Sequence, residues 1–166
     1  AFRREGVPVH DADAVVHSLM ATGGSAVSQI EKQFPNCVID DTVDRGLLGG
    51  EVFKNKRSLE ALENILHPMV QLEENRFVRK HVHIGVKMVI LDIPLLFETG
   101  GDSRCDAVAV VSAPAFLQRQ RVLSRQGMTE ERLTSILMHQ MSNAEKCERA
   151  DFVIRTGLGH ADALRC

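Results

Sequence analysis

The chain has 166 residues, 44% hydrophobic and 25% charged, with a formal net charge of -2, a composition that fits a globular domain large enough to bury a core. A charge so near neutral argues against broad electrostatic binding to nucleic acid or to an anionic membrane, so any anionic ligand must be held by local groups. No apolar run reaches about 18 residues. The opening AFRREG has no signal-like region, and Cys37, Cys105, Cys147 and Cys166 show no C-x-x-C pair and no zinc spacing. A cytoplasmic protein with reduced thiols is expected.

Taken in chain order, short runs rich in valine and isoleucine alternate with longer segments of helical period. That alternation predicts an α/β fold, a parallel sheet flanked by helices. Strands are expected at Val7 to His10, Cys37 to Ile39, Val86 to Ile93, Ala107 to Val111 and Phe152 to Ile154. The segment from 40 to 85 has helical character and no clear strand, so it reads as a helical insertion between two parts of an α/β core, 1–39 and 86–166. Within it Ser58 precedes an apolar stripe of Leu59, Leu62, Ile65, Leu66, Met69 and Val70. Pro68 interrupts this stripe and is expected to kink or divide the helix. Thr129, followed by Glu130 and Glu131, marks another helix start. The stretch 125–148 reads as a lid, since RQGMTEE combines a glycine with that start.

In open parallel sheets, ligands bind beyond the carboxyl ends of the strands. Asp11 and Asp13 follow the first expected strand, and Asp92 lies at the end of the third. Locally, Asp11 is explained as a helix N-cap and Asp13 as a first-turn acid. Asp92 has a comparable explanation as a strand-end acceptor. Arg121 and Arg125 share one helix face, where their repulsion costs about 0.2 to 0.5 kcal/mol. A solvated face explains them, and a polyphosphate would turn them into a clamp. His81 and His83 are possible metal ligands only if that segment is extended, and no third ligand is evident. The basic run RFVRKH reads as an exposed helix face.

The ordered blocks GVPVHDADAVVH, VDRGLLGGEVF, LENILHPMV, VILDIPLLFETG, RVLSRQGMTEERL and CERADFVIRTG resemble the dephospho-CoA kinase family. The resemblance runs from about Gly6 to Gly159. It implies a P-loop kinase fold with a helical domain for the coenzyme precursor and a lid. It also implies ATP and magnesium as the means of phosphorylating the 3′-hydroxyl of dephospho-CoA. By the same resemblance Asp13 is the catalytic carboxylate, and Asp11 supports the substrate or the magnesium shell. Asp92 stands like a Walker B acid, holding magnesium through water. Arg125, and secondarily Arg121, would stabilise the transferring phosphoryl group. Arg45, His67, Pro94, Leu95, Leu96 and Glu98 would serve dephospho-CoA. Arg155 and Gly157 would lie near the adenine of ATP, although the family often carries asparagine where Arg155 stands.

The family's G-x-x-x-x-G-K-[ST] loop has no counterpart in the sequence, since GLLGGE at Gly46 to Glu51 lacks the following lysine and hydroxyl. The expectation is therefore a piece of a longer kinase, short at both ends. The competing functions are another P-loop small-molecule kinase and a non-catalytic module that binds the coenzyme.

Overall fold

A computed structural model describes residues 1–52 and 55–165. Phe53, within the VDRGLLGGEVF block, and Cys166, among the expected thiols, lie outside the described residues. Two compact units divide the chain after Pro94.

The first unit runs through β1 (Val9–Asp11), α1 (Ala12–Met20), α2 (Val27–Gln33), β2 (Val38–Ile39), β3 (Thr42–Val43), α3 (Arg45–Val52), α4 (Lys56–His83) and β4 (Ile90–Asp92). β1 and β4 pair in parallel, Val9 with Ile90 through Asp11 with Asp92. The parallel pairing expected from the valine-rich runs is present, but β4 is shorter than the Val86 to Ile93 run. Only residues from Ile90 onward have a ladder partner, and the Val86 N–H still returns to the His81 carbonyl at the end of α4.

The core of this unit is helical. Leu19 and Met20 of α1, Val27 and Ile30 of α2, Leu48 and Val52 of α3 and Leu66 of α4 form one buried cluster with Ala26, Phe34, Cys37 and Val43. Its residues come from both sides of position 40. Asn55 caps α4 by accepting the Arg57 N–H at 3.0 Å. The helix then runs 28 residues through Pro68 without a break, and is not divided there as its sequence suggested. Proline removes one backbone donor, but Pro68 and Asn64 are both exposed, so water can meet the carbonyl left over. The stripe of Leu59, Leu62, Ile65, Leu66, Met69 and Val70 packs against the cluster on both sides of the proline. His81 and His83 lie on this helix and not on an extended segment; two residues apart on a helix, they point in different directions.

Of the Cys37 to Ile39 run, Val38 and Ile39 belong to a small antiparallel hairpin, β2 with β3, and not to the parallel sheet, while Cys37 ends a 3-10 turn. Asp40 and Asp41, the two turn residues, both have positive φ, 48° and 56°, the signature of a type I′ turn, which aspartate tolerates better than most residues.

The second unit contains β5 (Ala109–Ser112), α5 (Ala115–Leu123), α6 (Glu130–His139), α7 (Asn143–Arg149), β6 (Phe152–Arg155) and α8 (His160–Ala163). β5 and β6 are parallel, Ala109 with Phe152 through Ser112 with Arg155. Thr129 caps α6 as expected, its hydroxyl accepting the Arg132 N–H. Ser142 and Glu145 form a full capping box at the start of α7.

Candidate active site

Asp11 and Asp92 sit opposite each other at the carboxyl ends of β1 and β4. Asp11 caps α1, Oδ1 accepting the Ala14 N–H at 2.9 Å, with an Arg3 guanidinium 3.9 Å from Oδ2. Its local explanation is therefore realised. Asp13, one residue inside the helix, and Asp92 are exposed, and neither carboxylate enters a hydrogen bond or ion pair among the described residues.

One turn beyond Asp13, on the same face of α1, stands His17. Arg45, the first residue of α3, donates to its Nε2. The start of α3 is held by Asp44, whose Oδ1 accepts the N–H groups of Gly46 and Leu47 at 2.8 and 3.0 Å. Asp13, His17 and Arg45 thus form a series in which an unpaired acid stands beside a tethered cation. His67 is exposed on α4, and no printed contact joins it to this series. An open groove of about 470 Å³, lined by Val15, Ser18, Thr22, Gly23, Gly24 and Glu73 among others, runs along a different side of α1. Ser18 is about 140° round the helix from Asp13, so this groove does not receive the carboxylate.

In the second unit, Leu95 is exposed, Leu96 half-buried and Phe97 buried; Pro94, the last residue of the first unit, is exposed. Glu98 turns inward. Its Oε1 accepts the Met141 N–H at 2.9 Å and pairs with Lys146 Nζ at 2.8 Å. Burial pushes the Glu98 carboxyl up, but the bonds from Lys146, its own backbone and Met141 outweigh burial and hold it below the usual carboxylate value. The pair's contribution to folding is thus present above the ordinary carboxylate range, and is lost as pH falls through the depressed value.

Arg121 donates to the Thr156 carbonyl at 3.1 Å, and Thr156 in turn donates its N–H to Ser112 at 2.8 Å. This gathers Arg121, Gly157 and the ends of β5 and β6 into one patch. Gly157 is needed there because a Cβ would lie 2.9 Å from Pro114 Cδ. Arg155 is exposed at the end of β6. Arg125 follows α5 with its guanidinium exposed and without a partner among the described residues. On either side of it the chain is fastened: Arg119 of α5 binds both carboxylate oxygens of Glu130 in α6, and Arg132 donates to the Gly127 carbonyl at 2.6 Å.

His17, Arg119 and Lys146 were not singled out in the sequence. His17 alone had a local signal, its four-residue spacing from Asp13. Among the described residues, no group of three or more His, Cys, Asp or Glu side chains could hold a metal by itself, and no helix is long and apolar enough to cross a membrane.

Parallel strand pairs flanked by helices define an α/β fold, and the carboxylates of Asp11 and Asp92 stand at the carboxyl ends of β1 and β4, where such folds bind their ligands. The family model for dephospho-CoA kinase matches residues 1–161. Dephospho-CoA kinase of Paramagnetospirillum magneticum is 55% identical over 145 residues, covering 87% of this chain and 68% of that protein. The Rhodospirillum rubrum dephospho-CoA kinase is 50% identical over 164 residues, 98% of this chain and 78% of the relative. Among solved structures, TT1252 from Thermus thermophilus superposes with a TM-score of 0.78 at 31% identity, over 98% of this chain and 82% of that one. The dephospho-CoA kinase from Campylobacter jejuni gives 0.66 at 27%, with the same coverage. The chain belongs to the dephospho-CoA kinase family. Its reaction is the ATP-dependent phosphorylation of dephospho-CoA, the final step of coenzyme A biosynthesis.

Proposed function

We propose that Asp13 is the general base of this reaction, that Arg45 holds anionic groups of dephospho-CoA and that Arg125 meets the charge of the transferring phosphoryl group. The ribose 3′-hydroxyl oxygen attacks the γ-phosphorus of ATP, the bond to the β,γ-bridging oxygen breaks, ADP leaves and the proton passes to Asp13. The observation that carries this reading is the unpaired Asp13 carboxylate one helical turn from His17, to which Arg45 is bonded. An acid already committed to an ion pair is a poorer proton acceptor than one left open.

Arg45 supplies the positive charge for dephospho-CoA, with His67 further along the same helical region. The exposed Pro94 and Leu95 and the half-buried Leu96 offer apolar surface to the uncharged part of the substrate. Glu98 acts indirectly, bonded to Met141 and Lys146 rather than to the substrate. Asp11 supports the site by fixing the start of α1, and so the direction of Asp13. Arg125 neutralises charge on the transferring phosphoryl group, Arg121 assists it, and Arg155 and Gly157 face the adenine of ATP.

Magnesium fits this donor set only as a hydrated ion. A single open carboxylate at a strand end suits a hard cation that keeps several waters and takes its other ligands from phosphate oxygens. Asp92 would hold it through water, and the ion would supply neutralisation of the phosphate charge. Cys37, Cys105 and Cys147 are not joined in disulfides, which supports action in a reducing cytoplasm.

Arg45→Ala tests the substrate side. Losing a charge-assisted contact of about 1.5 to 3 kcal/mol raises KM for dephospho-CoA about ten- to hundredfold, with KM for ATP and the melting temperature unchanged. An unaltered KM for dephospho-CoA would remove Arg45 from the site.

A further inference from the structure

We infer that Glu98 and Lys146 are positioning residues for phosphoryl transfer, pinning the junction of α6 and α7 so that the Arg125 segment meets the phosphate in one register. The inference rests on the reading of Arg125 given above. It starts from α7, a helix of seven residues whose Asn143, Lys146 and Arg149 recur every three positions and share one side. Each grips a different segment. Asn143 donates to the Ser112 hydroxyl at 3.0 Å, at the carboxyl end of β5. Lys146 pairs with Glu98. Arg149 pairs with Asp102 at 2.7 Å and lies 4.5 Å over the Phe97 ring.

Glu98 is the hub of this strap. The same oxygen that meets Lys146 accepts the N–H of Met141, in the short link between the two helices. The carboxylate therefore holds both the link and the helix after it. Side-chain exposure is 15% for Glu98 and 19% for Lys146, against 58% and 47% for the Arg119–Glu130 pair. An exposed pair contributes little, whereas removing one member of a screened pair leaves a charge without its partner. Glu98 Oε2 is already buried without a hydrogen bond, so the bonds at Oε1 are what keep this carboxylate inside.

Mechanically, the segment bearing Arg125 is fastened in front by Arg119 to Glu130 and behind, across α6, by Glu98 to Met141 and Lys146. A guanidinium that must reach a transferring phosphoryl group depends on that rear fastening, because displacements near 1 Å cost about a hundredfold in rate. Loss of the strap should then lower turnover and leave substrate binding nearly intact. A direct substrate contact by Glu98 would give the opposite pattern.

The test compares Lys146→Met, Glu98→Gln and Lys146→Arg in the full-length protein, with Arg125→Ala as reference. Lys146→Met and Glu98→Gln are expected to lower kcat about tenfold or more, with both KM values within about threefold of the parent. Lys146→Arg, which keeps the charge, should restore kcat to within about threefold. Should Lys146→Met not fold, Glu98→Gln, which still offers an acceptor to Met141, carries the same expectation. A folded Lys146→Met or Glu98→Gln with parental kcat, a rise confined to KM for dephospho-CoA, or a Lys146→Arg as slow as Lys146→Met would each overturn the inference. If Arg125→Ala is itself fully active, the reading of Arg125 fails instead.

Discussion

Replacing Asp13 with asparagine is expected to lower kcat for coenzyme A formation by about 10² to 10⁴, the usual worth of a positioned general base. The same change should barely move the melting temperature. Asp13 is exposed, makes no hydrogen bond or ion pair among the described residues, and lies in the first turn of a helix whose cap is Asp11. Asparagine preserves the shape and removes only the basicity and the first-turn charge, a loss of about 0.3 to 1 kcal/mol. Asp11→Ala should lower the melting temperature instead, since it deletes the cap, with a smaller loss of rate through the direction of Asp13. Steady-state ADP release paired with thermal melting separates the two effects. An Asp13→Asn enzyme with the parental rate would leave Asp13 as a helix-dipole residue and nothing more.

Arg125→Ala is expected to lower kcat by about 10³ or more, the scale on which an arginine directed at a transferring phosphoryl group operates. Its guanidinium is fully available, unlike that of Arg121, which is partly occupied by the Thr156 carbonyl. Arg121→Ala should therefore cost less in rate and more in the local order of the β6 end. Single-turnover rates at saturating substrates, with circular dichroism to confirm folding, give the comparison. Equal rates for Arg125→Ala and the parent would shift the catalytic charge elsewhere.

Much of this architecture is legible in the amino-acid sequence. The parallel pairs β1–β4 and β5–β6 follow from apolar runs that need cover on both faces. The caps at Asp11 and Thr129 follow from side-chain chemistry that acts over three residues. What escaped depends on partners distant in sequence. The β2–β3 hairpin has two residues in each strand, too few for an alternating pattern, and turns on Asp40 and Asp41 without a glycine. Pro68 looked like a break because propensity is local, while the packing that carries α4 past it comes from α1, α2 and α3. Arg45 meets His17 across 28 positions, and no periodicity joins residues so far apart. The bond from Met141 to Glu98 spans 43 positions, beyond the reach of any local pattern.

The 3′-hydroxyl of the dephospho-CoA ribose is the proposed target of Asp13. The direct measurement is ATP-dependent ADP release with dephospho-CoA, set beside release with an analogue whose ribose lacks the 3′-hydroxyl. Rapid release with dephospho-CoA, yielding coenzyme A, and none above the substrate-free rate with the analogue is the predicted result. Turnover of the analogue at a comparable rate, or a product carrying the new phosphate at another position, would contradict it.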